Sequence, residues 1–254
     1  MLIKTKEELD GIRKAGQTAG EILKKMRQYC KPGLSTKEID LYGGRLMKEY
    51  GVRSAPILAY NFPGFTCISV NDVVAHGVPS TQTILREDDL INIDVSIEQD
   101  GFWADNGGSF TLGQQNSPYD HLIDASRDIL KQAIFRIKHG MRVSELGGYI
   151  HDSAKKVGYT VIKNLTGHGV GRSLHEEPRS IANYREAFNF KRFRENEVVA
   201  IETFISTKSE FTKTDNDGWT LRGDKGGFVA QHEHTILVTR QQPEILTLSN
   251  EIWS

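Results

Sequence analysis

A glycine-rich run at residues 167–178 holds two histidines, His168 and His175, and its composition suits chemistry better than packing. Glycine lets the backbone and a ligand approach each other closely. Four carboxylates lie elsewhere in strand-like settings: Asp94, Asp105, Glu202 and Glu233. Divalent ions accept carboxylate and imidazole ligands, so these four residues together with His168 could hold two metal ions. The pattern indicates a hydrolase with a dinuclear metal site.

Strand alternation tests whether these carboxylates can meet, because successive side chains of a strand point to opposite faces. Asp94 and Glu202 each alternate with apolar residues, which predicts that both lie on the face away from the apolar core. Beside Glu233, His232 and His234 must point to the opposite face, so we exclude both as direct metal ligands. Acidic residues inside apolar strands cost several kcal/mol unless they are paired or bound to a cation.

Plainer interpretations exist for each residue taken alone. Asp105 precedes Asn106-Gly107-Gly108, a segment that also fits a turn. A lone histidine fits a hydrogen-bonded structural group, but the joint occurrence of all five residues favours a metal site. The oxygen-rich donor set suits Mn, Fe(II), Co or Zn better than metals that prefer thiolates. The chain has no His-Glu-x-x-His motif, which argues against the single-zinc protease design.

Apolar spacing predicts the elements that must position these side chains. A helix is predicted over residues 5–28, and Ser35 followed by Glu38 forms a capping-box signature for a second helix up to Tyr50. Strand-rich sequence extends over residues 54–111. Helical periodicity then returns twice, over residues 118–138 and 143–157, before a final third of strands and loops.

A weak internal repeat relates the two halves of the chain. At a shift of 107 positions, five residues recur: Lys31, Gly33, Glu38, Tyr42 and Gly51 match Lys138, Gly140, Glu145, Tyr149 and Gly158. Residues 86–94 similarly match residues 194–202, which makes Asp94 the counterpart of Glu202. Chance similarity of a charged turn before a strand is the alternative. The repeat predicts one catalytic domain over residues 1–254, with pseudo-symmetric halves at about 1–112 and 113–254 and the site between them.

Seven segments, in this order and spacing, carry a resemblance to a known family: Asn71-Asp72-Val73-Val74-Ala75-His76-Gly77-Val78-Pro79, Asn92-Ile93-Asp94-Val95, Ala104-Asp105, residues 167–178, Ile201-Glu202, Asp217-Gly218-Trp219-Thr220 and Gln231-His232-Glu233-His234-Thr235. The chain resembles the bacterial type I methionine aminopeptidases of peptidase family M24 over nearly its whole length. The resemblance implies an α+β pita-bread fold, in which helices cover a curved antiparallel sheet with pseudo-twofold symmetry.

Carried over to this sequence, the resemblance implies two divalent metal ions per chain, Co, Mn, Fe(II) or Zn. Asp105 and Glu233 would bridge the ions. Asp94 would chelate one of them, and His168 with Glu202 would complete the other.

The same resemblance implies the catalytic and substrate-binding groups. Glu202 would also take the proton of the attacking water, while His76 and His175 would be hydrogen-bonding groups that contact the substrate without binding metal. An apolar pocket for the methionine side chain would be formed by Phe62, Cys67, Leu174 and Trp219. The two aromatic members of this pocket fit plain core residues equally well.

The implied activity is removal of the N-terminal methionine from peptides and nascent proteins, with a preference for a small second residue. Two rivals remain. A proline-specific aminopeptidase or creatinase-like hydrolase would share the fold, but such chains usually carry an additional N-terminal domain. A catalytically silent binding module would be expected to lose metal ligands, and all five are kept.

The composition of the chain excludes some classes of partner. The 254 residues carry a formal net charge of -1, so neither a nucleic-acid surface nor a membrane surface is expected. Only two cysteines are present and no long apolar run occurs, which favours a reducing cytoplasm. We expect a monomer that acts on peptide or nascent-protein N-termini, with the ribosome as a possible place of encounter.

Three positions depart from the family pattern: Thr203 follows Glu202 where proline is usual, Ala75 precedes His76 where some members have cysteine, and Asn106 follows Asp105 where threonine is common. Alternation places Thr203 on the core side, so altered packing is expected there. Asn106 is expected to remove a hydroxyl that would support the carboxylate of Asp105.

Overall fold

A computed structural model describes residues 1–113 and 117–253. Two long helices open the chain. Helix α1 spans Lys6–Tyr29, with the Thr5 side chain accepting a hydrogen bond from the Glu8 backbone. Helix α2 spans Thr36–Tyr50, and the predicted capping box of Ser35 and Glu38 is present. Both predictions are confirmed to within a residue or two.

Three further helices follow. Helices α4 (Asp120–Ile134) and α5 (Val143–Lys156) lie within the two helical ranges predicted for the second half. Helix α3 (Ala55–Tyr60) is a correction, because the prediction assigned strand-rich sequence from residue 54 onward. Ser54 caps this helix, Pro56 lies in its first turn, and Asn61 ends it in the left-handed conformation. These are regular start and stop signals for a helix.

Thirteen strands and one 3-10 helix complete the described part of the chain. The strands are β1 Arg53–Ser54, β2 Cys67–Val70, β3 Val73–Ala75, β4 Leu90–Gln99, β5 Phe102–Thr111, β6 Thr160–Val161, β7 Thr166–Gly169, β8 Glu176–Ala182, β9 Val198–Ser206, β10 Thr212–Thr214, β11 Leu221–Gly223, β12 Val229–Leu237 and β13 Glu244–Ile245. Ten form one sheet with the path β1-β4-β5-β12-β9-β7-β8, and three form a smaller sheet, β10-β11-β3. Every pairing among these strands is antiparallel, which confirms the predicted α+β class.

The internal repeat is visible in the centre of the large sheet, where β4 and β5 from the first half meet β12 and β9 from the second. The loops before β4 and β9 have the same conformation: Asp88 has φ 65° and its counterpart Asn196 has φ 63°. In each loop an acidic side chain accepts a hydrogen bond from the backbone of an arginine, Asp89 from Arg86 at 2.8 Å and Glu197 from Arg194 at 3.0 Å. Chance similarity is therefore a poor explanation of the repeat. We propose that the two halves are about residues 1–112 and 113–254, of which residues 114–116 and 254 lie outside the described part of the chain.

The main apolar core lies between the helices and one face of the large sheet. Helix α1 packs on β4 and β5, and α4 packs on β9 and β12, as the repeat requires. Apolar residues of the central strands supply the sheet side of this core, among them Ile91, Ile93, Val95 and Ile201, all at most 1% exposed. Burying a side chain of this size contributes about 1.5–3 kcal/mol. No helix among the described residues has both the length and the apolar character needed to cross a membrane.

Candidate metal centre and substrate recess

The other face of the large sheet carries the predicted site residues in two adjacent rows across the strands. Strand pairing aligns one row as Cys67, Asp94, Gly107, Glu233 and Glu202. The next row contains Ser96 opposite Asp105 and Ala200 between Thr235 and His168. Thr235 of β12 links these two pairs of neighbours, because its hydroxyl donates to the carbonyl of Asp105 in β5 at 2.7 Å. Side chains two residues apart share a face, so both rows point the same way.

Three of the five predicted ligands are close enough to share one ion. Ligand atoms of Asp105, His168 and Glu233 all lie within 4.8 Å of one another. His168 Nε2 is 3.7 Å from Asp105 Oδ2. Asp105 lies inside β5, so the alternative in which it belongs to a turn is wrong.

The turn-like Asn106-Gly107-Gly108 segment is part of β5, where it pairs with both β4 and β12, and close packing explains why glycines occupy two of its positions. A Cβ on Gly107 would lie 2.5 Å from Gln231 Oε1, and one on Gly108 would lie 2.8 Å from the Ile252 side chain.

The carboxylates are destabilised as anions by their surroundings. Burial, followed by the charges of neighbouring acids, raises the pKa of Asp105, Glu202 and Glu233 well above its ordinary range. Burial raises the pKa of Asp94 to about 6. Burial, with a smaller effect of His175, lowers the pKa of His168 to about 3, so its ring is neutral and its contact with Asp105 is not an ion pair. A bound cation would reverse the penalty on the acids.

Two buried carboxylate oxygens, Asp105 Oδ1 and Glu233 Oε1, have no hydrogen-bond partner in the described structure. None of the ion pairs formed by the described residues joins a lysine or arginine to the four acids. Buried acceptors without donors are uncommon in native proteins. The donor set, four carboxylates and one neutral imidazole, therefore fits oxygen-preferring divalent metal ions.

One amide supports Glu233 from the side. Gln231 Nε2 donates to Glu233 Oε2 at 3.0 Å, and Gln231 Oε1 accepts from Asn92 Nδ2 at 2.7 Å. This second bond fixes which end of the amide faces the carboxylate. Sequence reasoning missed the role of Asn92 and Gln231, although both lie on the site face by alternation.

The core face of the same strands carries the residues that the sequence excluded. His232 Nδ1 lies 3.0 Å from Ser126 Oγ, and His234 Nδ1 lies 2.8 Å from Thr247 Oγ1. Thr203 also faces the core, where its hydroxyl lies 3.3 Å from Ser126 Oγ. The concern about Asn106 was wrong: its amide donates to the Val95 carbonyl at 2.9 Å on this face, away from the carboxylate of Asp105.

The five predicted metal ligands line a recess of about 100 Å³, smaller than the 300–1,000 Å³ of drug-sized ligand pockets. The residues predicted for substrate contact all line it: Phe62, Cys67, His76, Leu174, His175 and Trp219. The rings of Phe62 and Trp219 meet edge to face with centroids 5.3 Å apart. Phe62 is 4% exposed, as a core residue would be, but neither ring belongs to the apolar core clusters of the described residues.

The two histidines lie at the exposed mouth of the recess. His76 has φ 53°, an uncommon conformation for a non-glycine residue that is concentrated at functional sites. Partial loss of hydration lowers the pKa of His76. The pKa of His175 is lowered by the same cause and, to a smaller extent, by the charge of His76. Sequence reasoning missed Tyr60, whose hydroxyl lies 2.7 Å from His175 Nδ1. The Ser-Ala-Pro start signal at residues 54–56 could have revealed the helix that carries it.

Comparison with known proteins gives consistent relatives. The model of metallopeptidase family M24 matches residues 10–240. "Methionine aminopeptidase 2" of Bacillus subtilis strain 168 is 44% identical over 97% of this chain and 99% of its own length. The methionine aminopeptidase of Escherichia coli strain K12 is 33% identical over 98% of this chain and 94% of its own length.

Solved structures agree with these relatives. A methionine aminopeptidase from Thermotoga maritima has a TM-score of 0.91 and 32% identity, covering 97% of this chain and 99% of its own. The prolidase of Pyrococcus furiosus, at 24% identity, has a TM-score of 0.78 over 97% of this chain and 65% of its own, and shows a shared fold alone. These neighbours have the pita-bread fold that the sequence predicted. The chain belongs to metallopeptidase family M24.

Proposed function

We propose that this protein is a metal-dependent aminopeptidase that removes the N-terminal methionine of peptides and nascent proteins. One observation carries the proposal: four carboxylates, two of them buried and two half-buried, line a recess together with a buried neutral imidazole and several apolar side chains. A metal centre adjacent to such a recess can hydrolyse the bond next to the bound residue. The names of the relatives, methionine aminopeptidases along the full length of the chain, support the same substrate.

Two divalent ions would be held by the five residues in the arrangement implied by the family resemblance. Asp105 and Glu233 would bridge them from neighbouring strands, Asp94 would bind one ion, and His168 with Glu202 would bind the other. The unpartnered oxygens Asp105 Oδ1 and Glu233 Oε1 support metal binding, because each leaves its carboxylate an oxygen that a cation could take. When bound, such ions lower the pKa of water towards about 7 and polarise the scissile carbonyl.

The protein's own groups would move the proton and receive the charge. Glu202 would take the proton of the attacking water, because its carboxylate would lie beside that water as a ligand of the same ion. His76 and His175, at the mouth of the recess, would donate hydrogen bonds to the leaving amide nitrogen and to the developing oxyanion. Neutral imidazoles can do this through a single N–H.

The recess would hold the methionine side chain. Phe62 and Trp219 would contact the thioether, an interaction worth about 0.3–1.5 kcal/mol. Burial raises the pKa of Cys67, so its thiol stays neutral and extends the apolar wall together with Leu174. A second space of about 190 Å³, lined by residues that include Asp94, Glu202 and Phe204, would receive the second residue of the substrate, and the family resemblance implies a preference for a small one there.

Cytoplasmic location, a monomeric state and encounter with nascent chains at the ribosome complete the proposal. The two cysteines are both free thiols, as a reducing compartment requires.

A peptide panel tests the function. We expect the metal-free protein to be inactive, and Mn²⁺ or Co²⁺ to restore release of the first residue from Met-Ala-Ser. Leu-Ala-Ser and Ala-Pro-Ser should be poor substrates. Preferred cleavage before proline would favour a prolidase-like activity. No release with any metal would favour the silent binding module.

A further inference from the structure

A tyrosine that the proposed mechanism does not use joins the two halves of the molecule across the recess. The hydroxyl of Tyr60, at the end of α3, lies 2.7 Å from Nδ1 of His175, which precedes β8. The two ring centroids are 5.7 Å apart at an interplanar angle of 55°. Both side chains line the recess, so the contact lies where substrate would bind.

Tyr60 is placed by a well-anchored backbone. At the start of α3, the Ser54 hydroxyl donates to the Phe65 carbonyl at 2.7 Å, and β1 pairs Ser54 with Ile97 of β4. At the end, the Asn61 backbone donates to the Ile57 carbonyl at 3.0 Å. A helix held at both ends gives the phenol a defined position.

His175 is equally constrained from its own side. Its carbonyl accepts a hydrogen bond from the Ser173 hydroxyl at 3.0 Å. Its ring lies against that of His168, with centroids 4.0 Å apart. In its neutral form, the proton of this imidazole can lie on either ring nitrogen.

That choice matters for catalysis. A neutral imidazole has one donor nitrogen and one acceptor nitrogen, and the hydrogen bond at one of them sets the state of the other. If the phenol donates to Nδ1, the ring proton must lie on Nε2. An Nε2–H can donate to the carbonyl oxygen of the scissile bond as negative charge develops there.

We propose that Tyr60 is a positioning residue for the reaction: its hydroxyl donates to His175 Nδ1 and holds the tautomer whose Nε2–H faces the substrate. The inference rests on the proposed aminopeptidase function. It assigns the first half of the chain a direct part in orienting a catalytic group supplied by the second.

Kinetics of Tyr60→Phe test the proposal, because this change removes one oxygen and keeps the ring. We expect kcat to fall about tenfold, the lower end of effects seen for outer-shell partners, with KM within about twofold of wild type. Metal content should stay at the wild-type level. The control is Tyr149→Phe, which removes a similar 2.7 Å hydrogen bond to Gln132 far from the recess and should leave kcat unchanged. Unchanged kcat in Tyr60→Phe, or a higher KM alone, would overturn the proposal.

Nitrogen-15 NMR of the histidine rings gives a reading that needs no turnover. We expect His175 to be the Nε2–H tautomer in wild type and a mixture of tautomers in Tyr60→Phe, with no change in Tyr149→Phe. An Nδ1–H tautomer in wild type would contradict the inference even if the enzyme is active. A protein that shows the expected spectra but releases no methionine would instead contradict the proposed function.

Discussion

The two faces of β12 carry polar side chains that are almost equally buried, yet their partners differ. On the core face, His232 and His234 are at most 1% exposed, and each bonds through Nδ1 to a hydroxyl, that of Ser126 or Thr247; the neutral His234 ring leaves its Nε2 without a partner among the described residues. On the recess face, Glu233 is also 1% exposed, but its Oε1 has no partner among the described residues. The same holds for Asp105 Oδ1 on the neighbouring strand.

The difference separates structural polar groups from functional ones. A buried imidazole that is neutral and bonded to a hydroxyl adds to stability and specifies packing. A cluster of buried acids with no cation nearby costs free energy, so the fold retains it only with something that binds there. The exposed fractions of these side chains alone do not distinguish the two faces.

The largest effect is expected from Glu202→Gln, which keeps the shape of the side chain and removes its charge. We expect kcat to fall by about 10³, within the usual contribution of a general base. The metal-free protein should remain folded, because one repelling charge is lost. Glu98→Gln is the matched control: Glu98 lies on the same face of β4 as Asp94, 5% exposed, but its carboxylate is paired with Arg53 at 2.6 Å. Loss of peptidase activity in Glu98→Gln but not in Glu202→Gln would show that the paired acid, and not Glu202, takes part in catalysis.

His175→Ala should have the next largest effect. We expect turnover to fall about 100-fold, as for the loss of one donor to an oxyanion. Metal content, measured per chain after dialysis, should match that of wild type. A variant that loses metal together with activity would show that His175 is a ligand.

The metal-free protein should also respond to pH in a definite direction. The raised pKa of Asp94, from 3.8 to about 6, means that the folded state binds more protons than the unfolded chain in this window. The free energy of unfolding therefore falls as pH rises through this window. Asp105, Glu202 and Glu233, whose pKa is also raised, change the free energy of unfolding in the same direction. Buried neutral histidines such as His232 have a lowered pKa and act in the opposite direction. Because His232 contributes equally with and without metal, the effect of the acids is measured as the difference in Tm between the metal-loaded and the metal-free protein.

Thermal unfolding with and without chelator measures this effect. We expect the gain in Tm from Mn²⁺ to grow between pH 5 and pH 7.5, and to grow less in Asp94→Asn. A gain that does not change with pH would mean that the carboxylates do not hold the ion.

The smallest effect on activity is expected on the core face. His232→Ala should lower the free energy of unfolding by about 1–3 kcal/mol, because it removes a buried hydrogen bond and leaves a cavity. At a temperature where the variant is folded, kcat should stay within about twofold of wild type. The exposed His121 of α4, changed to alanine, should affect neither property. A large loss of kcat in the folded His232→Ala variant would show that the core face takes part in catalysis.

Much of the site follows from sequence because strand alternation is a strict geometric rule. It placed Asp94, Glu202 and Glu233 on one face and their histidine neighbours on the other, and the shift of 107–108 positions paired the central strands. The rule does not depend on long-range packing, so a single sequence was enough.

What sequence reasoning missed depends on contacts between distant segments. The Asn106-Gly107-Gly108 segment has the composition of a turn, but it pairs with β4 and β12, and its glycines allow the close approach of Gln231 and Ile252. Helix α3 lies in an apolar stretch that the sequence pattern assigned to strands. Tyr60 at its end was therefore overlooked, and its partner His175 is 115 residues away along the chain. The Asn92–Gln231–Glu233 chain of hydrogen bonds likewise joins two strands that only the folded sheet brings together.

We propose that the recess face of β4, β5, β9 and β12 holds two divalent ions. Anomalous diffraction from crystals grown with Mn²⁺ tests it most directly. We predict two peaks, both within bonding distance of the carboxylates of Asp105 and Glu233, and none at His232 or His234. Absence of peaks on this face, or a single ion that one of these two carboxylates does not touch, would contradict the account.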